Sequence, residues 1–159
     1  MSTIKRFEDI EAWGEARSLS KEINKITRSS KFFDDYSLVS QIRRSSGSIM
    51  DNIAEGFERE EKKEFIHFLS IAKGSAGEVR SQLYRAYDAD YIVEHQFIQL
   101  QTKTVLISKK LSGFMKYLRS TSFAGKKFDY NLKPQTLNLK LKPRSAAHSL
   151  PTSQPFLPD

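Results

Sequence analysis

The chain contains no cysteine. Disulfides and thiolate chemistry are therefore excluded, and a reducing compartment is permitted without being required. Proline is missing from the first 121 residues; all five, Pro134, Pro143, Pro151, Pro155 and Pro158, fall in the stretch 122–159. Proline is excluded from helix interiors, so this split separates a segment free to be helical from one that is not. No apolar run approaches the roughly 18 residues that a membrane helix needs. The opening MSTIKRFEDIEAW is charged and has no apolar stretch, so neither a membrane span nor a signal peptide is expected. The phosphate-cradling patterns G-x-x-x-x-G-K-[ST] and G-x-G-x-x-G are absent. No Ser/His/Asp arrangement carries a catalytic signature.

What is present is helical periodicity. Four helices are predicted, over about Asp9–Ser29, Ser37–Arg59, Glu61–Asp88 and Glu94–Ser120. In the first, Ala12, Ala16, Leu19, Ile23 and Ile26 alternate in steps of four and three. In the second, Leu38, Ile42, Ser45, Ile49, Ile53 and Gly56 do nearly the same. The third carries Phe65, Leu69, Ala72, Ala76, Val79, Leu83 and Ala86, and the fourth Phe97, Leu100, Thr104, Ile107, Leu111, Phe114 and Leu118. Such alternation lays one apolar seam along each helix, the pattern of bundles. The connections, about 30–36, 60 and 89–93, are short, which makes successive helices antiparallel neighbours. The expected fold is therefore all-α, an antiparallel up-down-up-down four-helix bundle over residues 1–121. Asp34, Asp35 and Ser37 offer caps for the second helix. Residues 122–159 form a basic, proline-containing tail, expected to be mostly extended or disordered.

The net charge is +7. Residues 1–121 hold 20 Lys/Arg against 17 Asp/Glu, and residues 122–159 hold 6 against 2, so more than half of the excess lies in the tail. A basic balance favours anionic partners such as nucleic acid. The candidate contacts in the bundle are Arg43 and Arg44 on the second helix, Arg59, Lys62 and Lys63 at the following turn, and Lys73 and Arg80 flanking the third seam. Lys103 and Lys110 flank the fourth seam in the same way. Flanking charges of this kind commonly form interhelical pairs, and Glu55, Glu58, Glu60, Glu61 and Glu64 are near enough to neutralise the turn cluster, so a paired surface and an anion-binding face both stand. In the tail, Lys126, Lys127, Lys140, Lys142 and Arg144 have few acidic neighbours, which favours phosphate contact. Little aromatic interleaving of the kind that stacks bases is evident.

Other features have plainer readings. Glu64 and His67 spell E-x-x-H, half of a di-iron bundle motif, but no second copy exists and the seam runs beside His67. Neither metal nor other cofactor is expected. Gly74, Ser75 and Gly77 sit inside the third helix, where glycine costs about 1 kcal/mol relative to alanine; close approach of a neighbouring backbone is the preferred explanation. Val39, Met50 and Ala54 on the second helix and Ile66, Phe68 and Ile71 on the third lie beyond their seams, arcs wider than an isolated bundle needs. They suggest self-association. Asn52 and Glu55 also lie outside the seam, and a hydrogen bond to a neighbouring helix or subunit is preferred to a binding role.

The run Gln41-Ile42-Arg43-Arg44-Ser45-Ser46-Gly47-Ser48-Ile49, then Asn52-Ile53-Ala54-Glu55-Gly56 and Arg59, continues through Glu64-Phe65, Phe68-Leu69, Ala72, Gly74-Ser75-Ala76 and Glu78. With Phe7-Glu8-Asp9-Ile10, Trp13 and Ala16, this resembles the four-helix-bundle family encoded in bacterial 23S rRNA intervening sequences, over about residues 5–120. The resemblance implies a small cytoplasmic bacterial protein without established enzymatic activity, often a homopentamer. The chain is also similar to the accessory proteins of diversity-generating retroelements, basic pentameric bundles that bind a reverse transcriptase and nucleic acid. The long basic tail departs from the family pattern. The expectation is a non-enzymatic, oligomeric accessory protein binding RNA or nucleoprotein, with a protein-interaction scaffold, such as a reverse transcriptase subunit, as the alternative.

Overall fold

A computed structural model describes residues 4–120; the tail and its basic candidates Lys126, Lys127, Lys140, Lys142 and Arg144 lie outside the described residues. A single 3-10 turn, Phe7–Asp9, is followed by α1 (Glu11–Ile26), α2 (Ser30–Phe33), α3 (Tyr36–Glu58), α4 (Lys62–Asp88) and α5 (Glu94–Ser120). The four long helices pack as a bundle in which α3 lies against α1 and α4, and α5 against α4 and α1. Cross-helix pairs show the direction of each neighbour. Arg85 reaches Gln41, Ser75 reaches Ser48 and Phe68 abuts Gly56, so α4 runs against α3. Phe97 meets Tyr84 and Phe114 meets Phe65, so α5 runs against α4. Lys103 pairs with Glu22 and Lys110 with Glu11, so α5 also runs against α1. At 1.5 Å per residue, α4 is about 40 Å long.

The core follows the seams. Every seam position of α3 and α4 is buried, and Ile23, Ile42, Ile53, Leu69, Leu83, Ile107 and Leu111 are closed to solvent. Burying a side chain of this size contributes roughly 1.5–3 kcal/mol. The helix ends depart from expectation for local reasons. The Asp9 carboxylate accepts from the backbone N–H groups of Lys5 and Arg6, both at 3.1 Å, which commits it to the 3-10 turn. Ile10 is extended, and α1 starts at Glu11. At the other end Thr27, not Ile26, is fully buried; its hydroxyl donates to the Ile23 carbonyl at 2.7 Å and the chain leaves the helix. Near the C-terminus of α5 Met115 is buried along with the seam residue Leu118, while Phe114 and Phe97 are half-buried.

The connection expected over 30–36 contains a helix of its own. In α2, Phe32 is fully buried and stacks on Tyr91 at 5.1 Å between ring centroids. Asp35 is the cap of α3: its carboxylate accepts from the Leu38 N–H at 2.9 Å and from the Tyr91 hydroxyl at 3.3 Å. Burial raises the Tyr91 pKa above the ordinary tyrosine value, and the adjacent Asp35 and Asp34 carboxylates add to the rise. The other two reversals place Glu60 and Asp90 in the left-handed region, at φ of 58° and 55°.

The two glycines of α4 overturn the close-approach reading. A Cβ built at Gly74 or Gly77 would have nothing within 4 Å outside its own helix. Only Ser75 of that trio packs, buried and 2.9 Å from the Ser48 hydroxyl of α3. Gly74→Ala and Gly77→Ala are each expected to raise the free energy of unfolding by about 0.5–1 kcal/mol, the helix-interior cost of glycine. Urea titration checks this; a loss of stability would mean that these positions meet a neighbour after all.

Candidate functional site

The basic candidates divide into engaged and open side chains. Arg43 is engaged: its Nε donates to the Thr27 hydroxyl at 2.8 Å and a terminal nitrogen to the Thr27 carbonyl at 3.4 Å. That guanidinium closes the C-terminus of α1, where free carbonyls favour a cation. Arg59 pairs with Glu55 at 2.8 Å, one turn back, and lies 5.4 Å from the Phe68 ring centroid. The hydrogen bond it donates to Glu55 raises its pKa, with that carboxylate's charge and Glu64 adding to the effect. Lys62 is half-buried. Lys103 pairs with Glu22 of α1 and also donates to the Ser18 hydroxyl at 2.8 Å. Lys110 pairs with Glu11, whose carboxyl is held below the ordinary glutamate value chiefly by that hydrogen bond.

Arg44, Lys63, Lys73 and Arg80 are exposed, and none of their side chains has a hydrogen-bond or ion-pair partner among the described residues. All four cations flank a seam, Lys73 and Arg80 one residue after Ala72 and Val79 of α4, Lys103 and Lys110 one residue before Thr104 and Leu111 of α5. The difference is the opposing helix. Beside Lys103 and Lys110 stands α1, with Glu11 and Glu22 in reach. Beside Lys73 and Arg80 stands α5, which carries no Asp or Glu from His95 to Ser120.

The candidates for self-association are also divided. Val39 belongs to the core at 6% exposed, so little of it faces outward. Met50 and Ile66 are half-buried and pack on the core, Ala54 and Phe68 are half-buried, and Ile71 is 39% exposed. Asn52 donates to the carbonyl of Ser48 at 2.7 Å and to its hydroxyl at 2.9 Å, so its amide bonds back along its own helix. Through Ser48 it joins a polar ladder between α3 and α4. The next rungs up are the Ser45 hydroxyl with Glu78 and the Gln82 amide with Ser45, both at 3.0 Å. Glu64 and His67 lie on the exposed face of α4, and no three potential metal ligands converge among the described residues.

Residues 8–113 match a family model, that of the 23S rRNA-intervening sequence protein. The chain belongs to that family. Its match runs from the 3-10 turn into the second half of α5, so the first three seams and the fourth as far as Leu111 fall within it and the proline-bearing tail does not. Among solved structures, a protein of unknown function from the S23 ribosomal protein family of Bacteroides thetaiotaomicron is similar, at 24% identity and a TM-score of 0.62. The likeness covers 66% of this chain and 95% of that one, and shows a shared fold. No curated protein matches.

In this family member, sequence reasoning passed over an aromatic group. Tyr84, Tyr87 and Phe97 meet where α4 and α5 run together: Phe97 stacks on Tyr87 at 4.8 Å and receives Tyr84 edge-on at 5.0 Å. The tyrosines are 53% and 37% exposed. The signal was available, because Lys73, Gly77, Arg80, Tyr84 and Tyr87 repeat in steps of four and three, one residue beyond the seam. It stayed hidden because Phe97, on another helix, completes the group. Among the described residues no helix is long and apolar enough to cross a membrane.

Proposed function

We propose that this chain is a non-enzymatic, cytoplasmic accessory protein that assembles as a homo-oligomer, a pentamer, and binds RNA or ribonucleoprotein. The observation that carries this reading is the set of exposed cations Arg44, Lys63, Lys73 and Arg80, left without a carboxylate while Lys103 and Lys110, which also flank a seam, are neutralised. The family's link to 23S rRNA intervening sequences supports an RNA partner, and the cations of the tail add to the available phosphate contacts. Self-assembly is supported by the exposed Ile71 and the half-buried Phe68 beside it on α4.

Binding is expected to fall steeply with salt. Four phosphate contacts on a single strand weaken association about 50-fold between 50 and 200 mM salt. Anisotropy titrations with labelled RNA measure this, and light scattering on the eluting complex reports subunit number with and without residues 122–159. Affinity that ignores salt, or no binding to RNA, rules the reading out. A second reading, a scaffold for a protein such as the reverse transcriptase of a retroelement, is favoured by Phe33 and Tyr36. These rings touch edge to face at 5.9 Å and stand 45% and 71% exposed.

A further inference from the structure

We propose that the outer groove between α4 and α5 is a track for single-stranded RNA, with Tyr84, Tyr87 and Phe97 as its base-stacking platform and Lys73 and Arg80 as its phosphate contacts. The proposal rests on the RNA-binding reading above and assigns it a face and a strandedness.

Geometry comes first. Lys73, Gly77, Arg80, Tyr84 and Tyr87 form one stripe on α4, all exposed. Fourteen residues at 1.5 Å each make it about 21 Å long. The stripe borders α5 directly, since the Gln101 amide donates to the Arg80 carbonyl at 2.9 Å. Gly77 interrupts it with no side chain and open space above, so a chain lying in the groove meets bare helix between Lys73 and Arg80. At the platform, Phe97 is held between its stacking contact with Tyr87 and its edge contact with Tyr84. Rings fixed against one another lose little freedom when a base arrives, and every base has a face to stack.

Charge selects the occupant. From Phe65 to Tyr87, α4 carries one carboxylate, Glu78, and it turns toward α3 to accept from the Ser45 hydroxyl. From His95 to Ser120, α5 carries none and holds five cations, of which Lys103 and Lys110 are neutralised by α1. The groove thus meets no carboxylate between Lys73 and Tyr87, and Lys73 and Arg80 make it cationic. Asp88, Asp90 and Glu94 stand beyond the platform and close that end to phosphate. An acidic peptide would satisfy Lys73 and Arg80 but would leave the stacked rings without a planar partner. A duplex hides its base faces, so the rings favour an unpaired strand.

The test uses the full chain and a labelled single-stranded RNA of mixed sequence, with its duplex form in parallel, at low salt. The single strand is expected to bind more tightly than the duplex. Tyr84→Ala should weaken single-strand binding about 5- to 160-fold, the range for loss of one stacked base, while Tyr84→Phe retains it. The double variant Lys73→Ala/Arg80→Ala should lower affinity and reduce the slope of log affinity against log salt by about 1.4, two phosphates on a single strand. All these residues are exposed, and unchanged melting temperatures confirm intact folds. If the wild-type chain binds no RNA, this proposal and the function above both fall. If it binds RNA but the variants bind as well as wild type, or the duplex competes equally, only the groove assignment falls. If Tyr84→Ala changes subunit number and leaves RNA affinity intact, the rings belong to a protein contact and the assignment is likewise overturned.

Discussion

Phe32→Ala is expected to lower the free energy of unfolding by about 3–5 kcal/mol, the usual cost of removing a buried phenyl ring. The residue sits in a four-residue helix that no periodicity marks, yet its side chain is fully closed to solvent. It supports more than its own burial. Its ring stacks on Tyr91, Tyr91 donates to Asp35, and Asp35 caps α3 through the Leu38 N–H. Removing the ring opens a cavity at the point where the α2 segment, the start of α3 and the turn after α4 converge. A cap of this kind is worth about 1 kcal/mol on its own, so any loosening of Tyr91 is felt in α3. The neighbouring Phe33, 45% exposed, is the internal control. Phe33→Ala should move stability by less than about 0.5 kcal/mol, as surface changes usually do. Denaturant midpoints for the pair read the contrast directly. Equal, small effects would mean that α2 is a loosely attached turn.

Phe32 also marks where sequence reasoning stops. The seams of α3 and α4 were legible position by position, because each long helix presents a single apolar stripe and its neighbours demand nothing else. The errors gather at ends and short connections. There, side-chain hydrogen bonds decide: Asp9 takes two backbone N–H groups and delays α1, and Thr27 takes a carbonyl and ends it. Arg43 shows the same limit for function. In sequence it is half of an Arg-Arg pair exposed to any anion; in the fold it is spent on Thr27, and Arg44 alone remains open. Lys73 and Arg80 lie on one flank of their seam and Lys103 and Lys110 on the other flank of theirs, but spacing does not say which helix each flank meets. What separates them is the carboxylates on the helix opposite, and helix adjacency is a property of the packed bundle. The aromatic platform needed the same knowledge, since Phe97 comes from α5 and the tyrosines from α4.

Glycine gives the sharpest test of that packing, because one substitution should change sign with position. Gly56→Ala is expected to lower stability by about 1–3 kcal/mol, the cost of overpacking a filled site. A Cβ there would lie 2.6 Å from the Phe68 Cβ and 3.0 Å from a ring carbon of Phe65. The nearer atom is the root of a side chain and cannot swing away, so α3 and α4 must separate at their joined ends. The separation disturbs Phe65, whose ring meets Phe57 at 5.9 Å and Phe114 at 5.6 Å, and it draws Phe68 from beneath Arg59. Helix propensity works in the opposite direction, favouring alanine by about 1 kcal/mol, and the steric term must exceed it. At Gly74 and Gly77 no such term exists and propensity acts alone. Urea midpoints should therefore fall for Gly56→Ala and rise for the other two. A rise at Gly56 would show that the α3–α4 contact has slack, and would remove the reason for a glycine at that point of the seam.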